Sequence, residues 1–273
     1  MTGYGDVSNM EPTPIPDLSH LRARIDQLDA ALVAIVAERL AVCREVAEVK
    51  QRVDAPVIQP ARVRDVVTSR RQLAIEAGVD PDFAEQLFRV LLTETHRIEV
   101  AGHRPDPAPE KAAEGNGSPG LDTVVSRVDH VVVAVPDLGA AVASLHHRFG
   151  FHEVPLAEPH VGMAGVAAGG VTFVLVAPEA SPAVARYVAE RGGGVQHVAL
   201  EVLNAGYARA CLADSGAPLL TEVVVDTDGH EQFFAATDEA TGVQLGFISR
   251  TGHRVGVSAA NVLALFDAID PAR

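Results

Sequence analysis

Arg22, Arg39, Lys50 and Arg62 place four cations in the first hundred residues of a 273-residue chain, and Glu99 adds one carboxyl group. If the intervening helices pack together, these side chains line one pocket, and such a pocket suits a small dianion. Thr95 precedes Glu99 by four residues, so on a helix both can point at one ligand. No nucleophile–base pair and no metal-ligand spacing occurs in this half. Chemistry here would come from positioning and electrostatics rather than from a covalent intermediate.

The element that must position these groups is the stretch from Leu18 to Lys50. It contains neither Gly nor Pro and follows Asp17, which reads as an N-cap. Leu18, Leu21, Ile25, Leu28, Leu32, Ile35, Val42, Val46 and Val49 recur mostly at steps of three and four. That spacing predicts one helix with a sustained apolar stripe, on the order of 50 Å long. Nothing in the next fifty residues could cover it alone, which predicts pairing with a second copy in an obligate dimer. Arg39 interrupts the stripe, while Arg22 and Lys50 lie beside it. Charges in a packed seam need opposite charges or an anionic ligand.

After a break at Asp54-Ala55-Pro56, Pro60 opens a second helix that runs to about Ala77 and stops at Gly78. Asp80-Pro81 opens a third, running to about Ala101. Residues 102–120 are rich in Pro, Gly and small polar residues and read as a linker. The predicted plan is a disordered terminus (1–16), a helical domain (17–101), the linker and a second domain (121–273).

The net charge of −14 argues against nucleic acid and anionic membranes as partners. Most of it belongs to the second domain: residues 17–101 carry 12 Lys/Arg against 14 Asp/Glu, residues 121–273 carry 8 against 17. With no leader-like segment and no apolar run of membrane-spanning length, the expectation is a cytoplasmic protein. Cys43 and Cys211 fall in different domains and are expected to be reduced.

From Val128 the pattern changes to short strands. The segment 128–138 reads as a strand and turn, 140–151 as a helix running into a strand, and 161–176 as a hairpin turning at Gly169-Gly170. The order then repeats: a strand through 192–202, a helix over 205–215, and strands near 219–225, 232–237 and 243–249. His130 and His197 fall at equivalent first-strand positions of two βαβββ units. His146, His147 and His152 have no ligand spacing and are expected on the surface.

The run LR-x5-LD-x8-ER-x10-K, then QPARV, then TETHRIE, resembles the all-helical (type II) class of chorismate mutases over about residues 17–101. The resemblance implies a three-helix intertwined dimer that needs no cofactor and converts chorismate, a small dicarboxylate, to prephenate by Claisen rearrangement. It implies that Arg22 acts in trans on the partner's site and that Arg39 and Arg62 hold the two carboxylates. Lys50 and Glu99 would contact the ether oxygen, and Thr95 would line the site. Glu99 can donate a hydrogen bond only when protonated, so activity should fall as pH rises. Val63 stands where that family often has Glu against the C4 hydroxyl, and Gln59 where an acid sometimes stands. Mutases of 4-amino-4-deoxychorismate and isochorismate pyruvate-lyases are therefore the alternatives.

The second domain resembles the vicinal oxygen chelate fold, and most closely the metal-binding half of 4-hydroxyphenylpyruvate dioxygenase, through SPAVARYVAERGGGVQHVAL and the terminal SAANVLALFDAID. The resemblance implies Fe(II), or another divalent metal, on His130, His197 and a carboxylate in the last strand. Gly246 stands at that third position, and Val174 where related folds use Gln or Glu. His230 or Glu231 would be the substitutes. The expectation is a degenerate domain for ligand sensing or dimerisation, with a metal-dependent arylpyruvate dioxygenase or a regulatory binding protein as the other class.

Overall fold

A computed structural model describes residues 18–100, 121, 124–226, 229–250 and 257–270. Asp17 and the segments read as a disordered terminus and a linker lie outside these residues. Contacts divide the chain after Val46.

Helix α1 spans Leu18–Val53 without a break. Residues 18–35 are all exposed, including Leu28 at 61% and Ile35 at 63%. The apolar stripe is therefore present and uncovered in the single chain. The helix ends at Asp54, which adopts a left-handed φ of 52° without being Gly. Ala55 N–H then donates to Lys50 O at 3.0 Å, the six-to-one bond of a Schellman cap.

Helices α2 (Pro60–Glu76) and α3 (Pro81–Val100) start where Pro and Asp signals place them. Asp80 Oδ1 accepts from Phe83 N–H at 2.8 Å, and Gly78 adopts φ 70° between the two helices. Arg71 bridges to Asp82 and Glu85, each at 2.7 Å, which ties α3 to α2.

The remainder is one eight-stranded sheet with helices on both faces. The first unit is β1 (Val125–Ala134), α4 (Leu138–Phe149), β2 (His152–Val154), β3 (Met163–Ala168) and β4 (Val171–Val176). Helix α5 (Pro182–Arg191) leads to the second unit: β5 (Gly194–Val202), α6 (Ala205–Asp214), β6 (Val224–Val225), β7 (Glu231–Phe234) and β8 (Leu245–Ser249). Helix α7 (Ala259–Ile269) follows. The strand order β2-β3-β4-β1-β5-β8-β7-β6 is a two-fold pattern: β1 and β5 are antiparallel at the centre, and each pairs in parallel with the last strand of its own unit. The multidomain plan of helices followed by two βαβββ units is the one read from the sequence.

The differences are local. The segment 219–225 forms only the two-residue β6 plus one bridge from Leu219 to Ala235. The strand read over 232–237 is Glu231–Phe234, because Thr237 turns its hydroxyl to the Gln244 amide oxygen instead of continuing the ladder. Helices α5 and α7 are elements beyond the expected plan, and Ser181 caps α5 by accepting from Val184 N–H. Both pack with Val132, Val174 and Val176 on one face of the sheet; α4 covers Leu175 on the other. No helix among the described residues is long and apolar enough to cross a membrane.

Candidate functional site

Among the predicted residues of the helical segment, the fold brings Lys50 and Glu99 into contact. Lys50 lies one turn before the end of α1 and Glu99 in the last turn of α3. Lys50 Nζ donates to Glu99 Oε2 at 2.8 Å, with side-chain exposures of 15% and 8%. The same ammonium donates to Val57 O at 3.1 Å. A pair this buried holds its geometry firmly, because losing either partner strands a charge, at a cost of about 3–5 kcal/mol.

The other predicted residues stand as follows. Arg22 is exposed on α1. Arg39 is half-buried, with Nη1 3.9 Å from Cys43 Sγ. Arg62 is exposed in the first turn of α2, and Val63 is half-buried. Thr95 Oγ1 donates to Leu91 O at 2.8 Å, one turn back on α3. Both cysteines are free thiols.

In the sheet domain, His130 on β1 and His197 on β5 meet with ring centroids 5.9 Å apart. Both are 1% exposed. His130 Nδ1 lies 2.7 Å from Asp129 Oδ1, and His197 Nδ1 faces Gln196 Oε1. Each oxygen accepts, so each Nδ1 carries a proton. Neither Nε2 has a hydrogen-bond partner. Burial, with His130 alongside, pushes His197 well below the ordinary imidazole value, so it stays neutral.

Two imidazoles side by side are the start of a metal site, but the third position fails. A Cβ built on Gly246 would lie 3.0 Å from Phe234 Cε1 and 3.1 Å from His197 Cδ2, so a side chain there asks two buried rings to give by a few tenths of an ångström. Val174 is apolar and fully buried. His230 is engaged by Asp226 at 3.0 Å. Among the described residues no three His, Cys, Asp or Glu side chains converge as a metal set. These residues do not fit the two-His-one-carboxylate arrangement. As expected, His146, His147 and His152 are exposed.

Sequence reasoning missed the polar cluster behind His130. Arg250 holds Asp129 with two bonds of 2.6 Å, at side-chain exposures of 4% and 2%. Arg127 bridges Asp129 and Glu201. A register shift in β1 between Val128 and His130 turns consecutive residues Asp129 and His130 inward together. The signal available was weak: acidic and basic residues at 127, 129, 201 and 250, in strands otherwise rich in Val. Burial opposes ionisation of Asp129, but hydrogen bonds from Arg250 and His130 outweigh it and hold the carboxyl well below the usual carboxylate range.

Two parts of the chain match known families. Residues 21–100 match the type II chorismate mutase family, and residues 129–235 match the Glyoxalase/Bleomycin resistance protein/Dioxygenase superfamily. A 4-amino-4-deoxychorismate mutase of Streptomyces pristinaespiralis is 37% identical over 100 residues, covering 35% of this chain and 78% of that protein. The chorismate mutase of Methanocaldococcus jannaschii is 30% identical over 78 residues, covering 29% and 79%. The T-protein of Enterobacter agglomerans is 38% identical over 85 residues, 31% of this chain and 23% of that protein. Among solved structures, a methylmalonyl-CoA epimerase of Streptomyces coelicolor is 25% identical over 46% of this chain and 97% of its own, with a TM-score of 0.39. The sheet domain has the vicinal oxygen chelate fold, and through its helical segment the chain belongs to the type II chorismate mutase family.

Proposed function

We propose that the helical segment rearranges chorismate to prephenate without a cofactor. The observation that carries this is the buried Lys50–Glu99 pair, 2.8 Å apart, drawn from the first and third helices of a segment matching the mutase family. In the rearrangement the ether C–O bond breaks as a C–C bond forms, and negative charge develops on the ether oxygen. An ammonium fixed at that oxygen stabilises the transition state more than the ground state. Arg39 and Arg62 are assigned to the two carboxylates, and Thr95 to the wall of the site. Clamping the carboxylates holds the flexible substrate in its reactive form and removes orientation cost.

The C4 substituent is the open specificity. Val63 supplies no carboxylate to a hydroxyl there, and the relative from S. pristinaespiralis is named for the 4-amino substrate. Turnover of chorismate, 4-amino-4-deoxychorismate and isochorismate, measured in parallel with products identified by mass, decides it. We expect rearrangement of chorismate, lost by at least a hundredfold in Arg39→Ala. Release of pyruvate from isochorismate as the fastest reaction would replace the mutase with a lyase.

The working form in this proposal is a homodimer in which Arg22 reaches the other copy's site. The support is the row of exposed Leu21, Ile25, Leu28, Leu32 and Ile35 on α1, a stripe too long to leave in water. Sedimentation should give twice the chain mass, and Leu28→Asp should give monomers with less than a tenth of the turnover. Full activity in a monomeric Leu28→Asp would end this reading.

For the sheet domain we propose descent from the metal-binding half of an arylpyruvate dioxygenase. Support comes from the terminal SAANVLALFDAID segment, which forms α7 over the face bearing Val132 and Val174.

A further inference from the structure

The loop between α1 and α2 carries a contact that neither the mutase reading nor the sheet domain's ancestry assigns. Val57 is 4% exposed and Ile58 6%. Ile58 lies in the apolar cluster of the sheet domain formed by Val124, Val202, Ala205, Ala208, Phe233 and Phe247. The residue before it, Val57, offers its carbonyl to Lys50 Nζ at 3.1 Å. At the other end of the loop, Ala55 N–H holds Lys50 O at 3.0 Å across the left-handed Asp54. Lys50 is therefore gripped at its backbone and at its ammonium by one six-residue loop, and that loop is pinned by a side chain sunk in the other domain's core.

We propose that Ile58 is a positioning residue for Lys50: the sheet domain serves the mutase by anchoring the loop that aims this ammonium. The proposal rests on the assignment of Lys50 to the ether oxygen. It requires no ligand in the sheet domain and no metal. A carbonyl that moves with its anchor would let the ammonium swing away from Glu99, and a displacement of about 1 Å at a reacting centre lowers turnover by up to about a hundredfold. Substrate affinity, assigned to Arg39 and Arg62, would change little.

The chain contains two lysines, Lys50 and Lys111, which permits a test independent of turnover. Trace acetylation of the full-length protein, read by mass spectrometry as the Lys50 to Lys111 ratio, reports how tightly the ammonium is held. Ile58→Ala should raise that ratio several-fold. It should lower kcat for chorismate by ten- to a hundredfold with KM within twofold. Ile58→Leu should restore both. If Ile58→Ala does not fold, Ile58→Val, one methylene smaller, carries the same comparison with smaller shifts. An unchanged labelling ratio and unchanged kcat in a folded variant with a lowered Tm would overturn the proposal and leave Ile58 as packing alone. If wild type turns over no chorismate, the mutase reading fails, and the labelling ratio still decides whether Ile58 holds Lys50.

Discussion

Lys50→Met lowers kcat/KM for chorismate by about 10²–10³-fold, the usual loss when one donor to a developing oxyanion is removed. Methionine keeps most of the side-chain length and removes the charge, so packing around α1 changes little. Lys50 and Glu99 pair at 2.8 Å, so removing one leaves the other buried without its partner. Glu99→Met should therefore also lower kcat/KM, and the double variant should lose far less than the product of the single losses. A kcat/KM within tenfold of wild type in Lys50→Met would remove Lys50 from the mechanism.

Arg250→Met destabilises the sheet domain by about 3–5 kcal/mol, because Asp129 keeps its charge in the core and loses both bonds of its main partner. For a domain of this size that lowers Tm by about 10 °C. The same carboxylate sets an acid limit. Its folded-state value lies below its unfolded one, so its contribution is complete above about pH 4 and is lost as pH falls further. Thermal melts from pH 3 to 7 should show wild type losing stability at the acid end. Asp129→Asn should lack that part of the loss while being less stable at pH 7. Parallel pH curves for the two proteins would mean that Asp129 is not the group responsible.

What the sequence made legible were features written in local spacing. The α1 stripe, Pro60, Gly78 and Asp80-Pro81 bound three helices within a few residues, because each signal acts on its own turn. Gly169-Gly170 marked the β3–β4 hairpin in the same way. The approach of Lys50 to Glu99 followed from the register of two helices, although they are 49 residues apart. Asp129–Arg250 and Ile58 were not legible. The first joins residues 121 apart through a register shift that no local pattern announces. The second is an ordinary apolar residue whose burying partners belong to another domain. Helix α7 was hidden by its composition: Asn261, Val262, Leu265 and Phe266 are all buried, so no polar face marks its period.

Gly246 has an evolutionary consequence. A carboxylate at that position would meet Phe234 and His197 at its first carbon, and both rings are sealed in the core. A third ligand at 246 therefore asks the Phe234 and His197 rings to give by a few tenths of an ångström. A smaller residue at 234 would relieve the first contact but opens a cavity in the core. On the descent proposed above, the two imidazoles persist as core residues, and a carboxylate beside them returns only with repacking around Phe234.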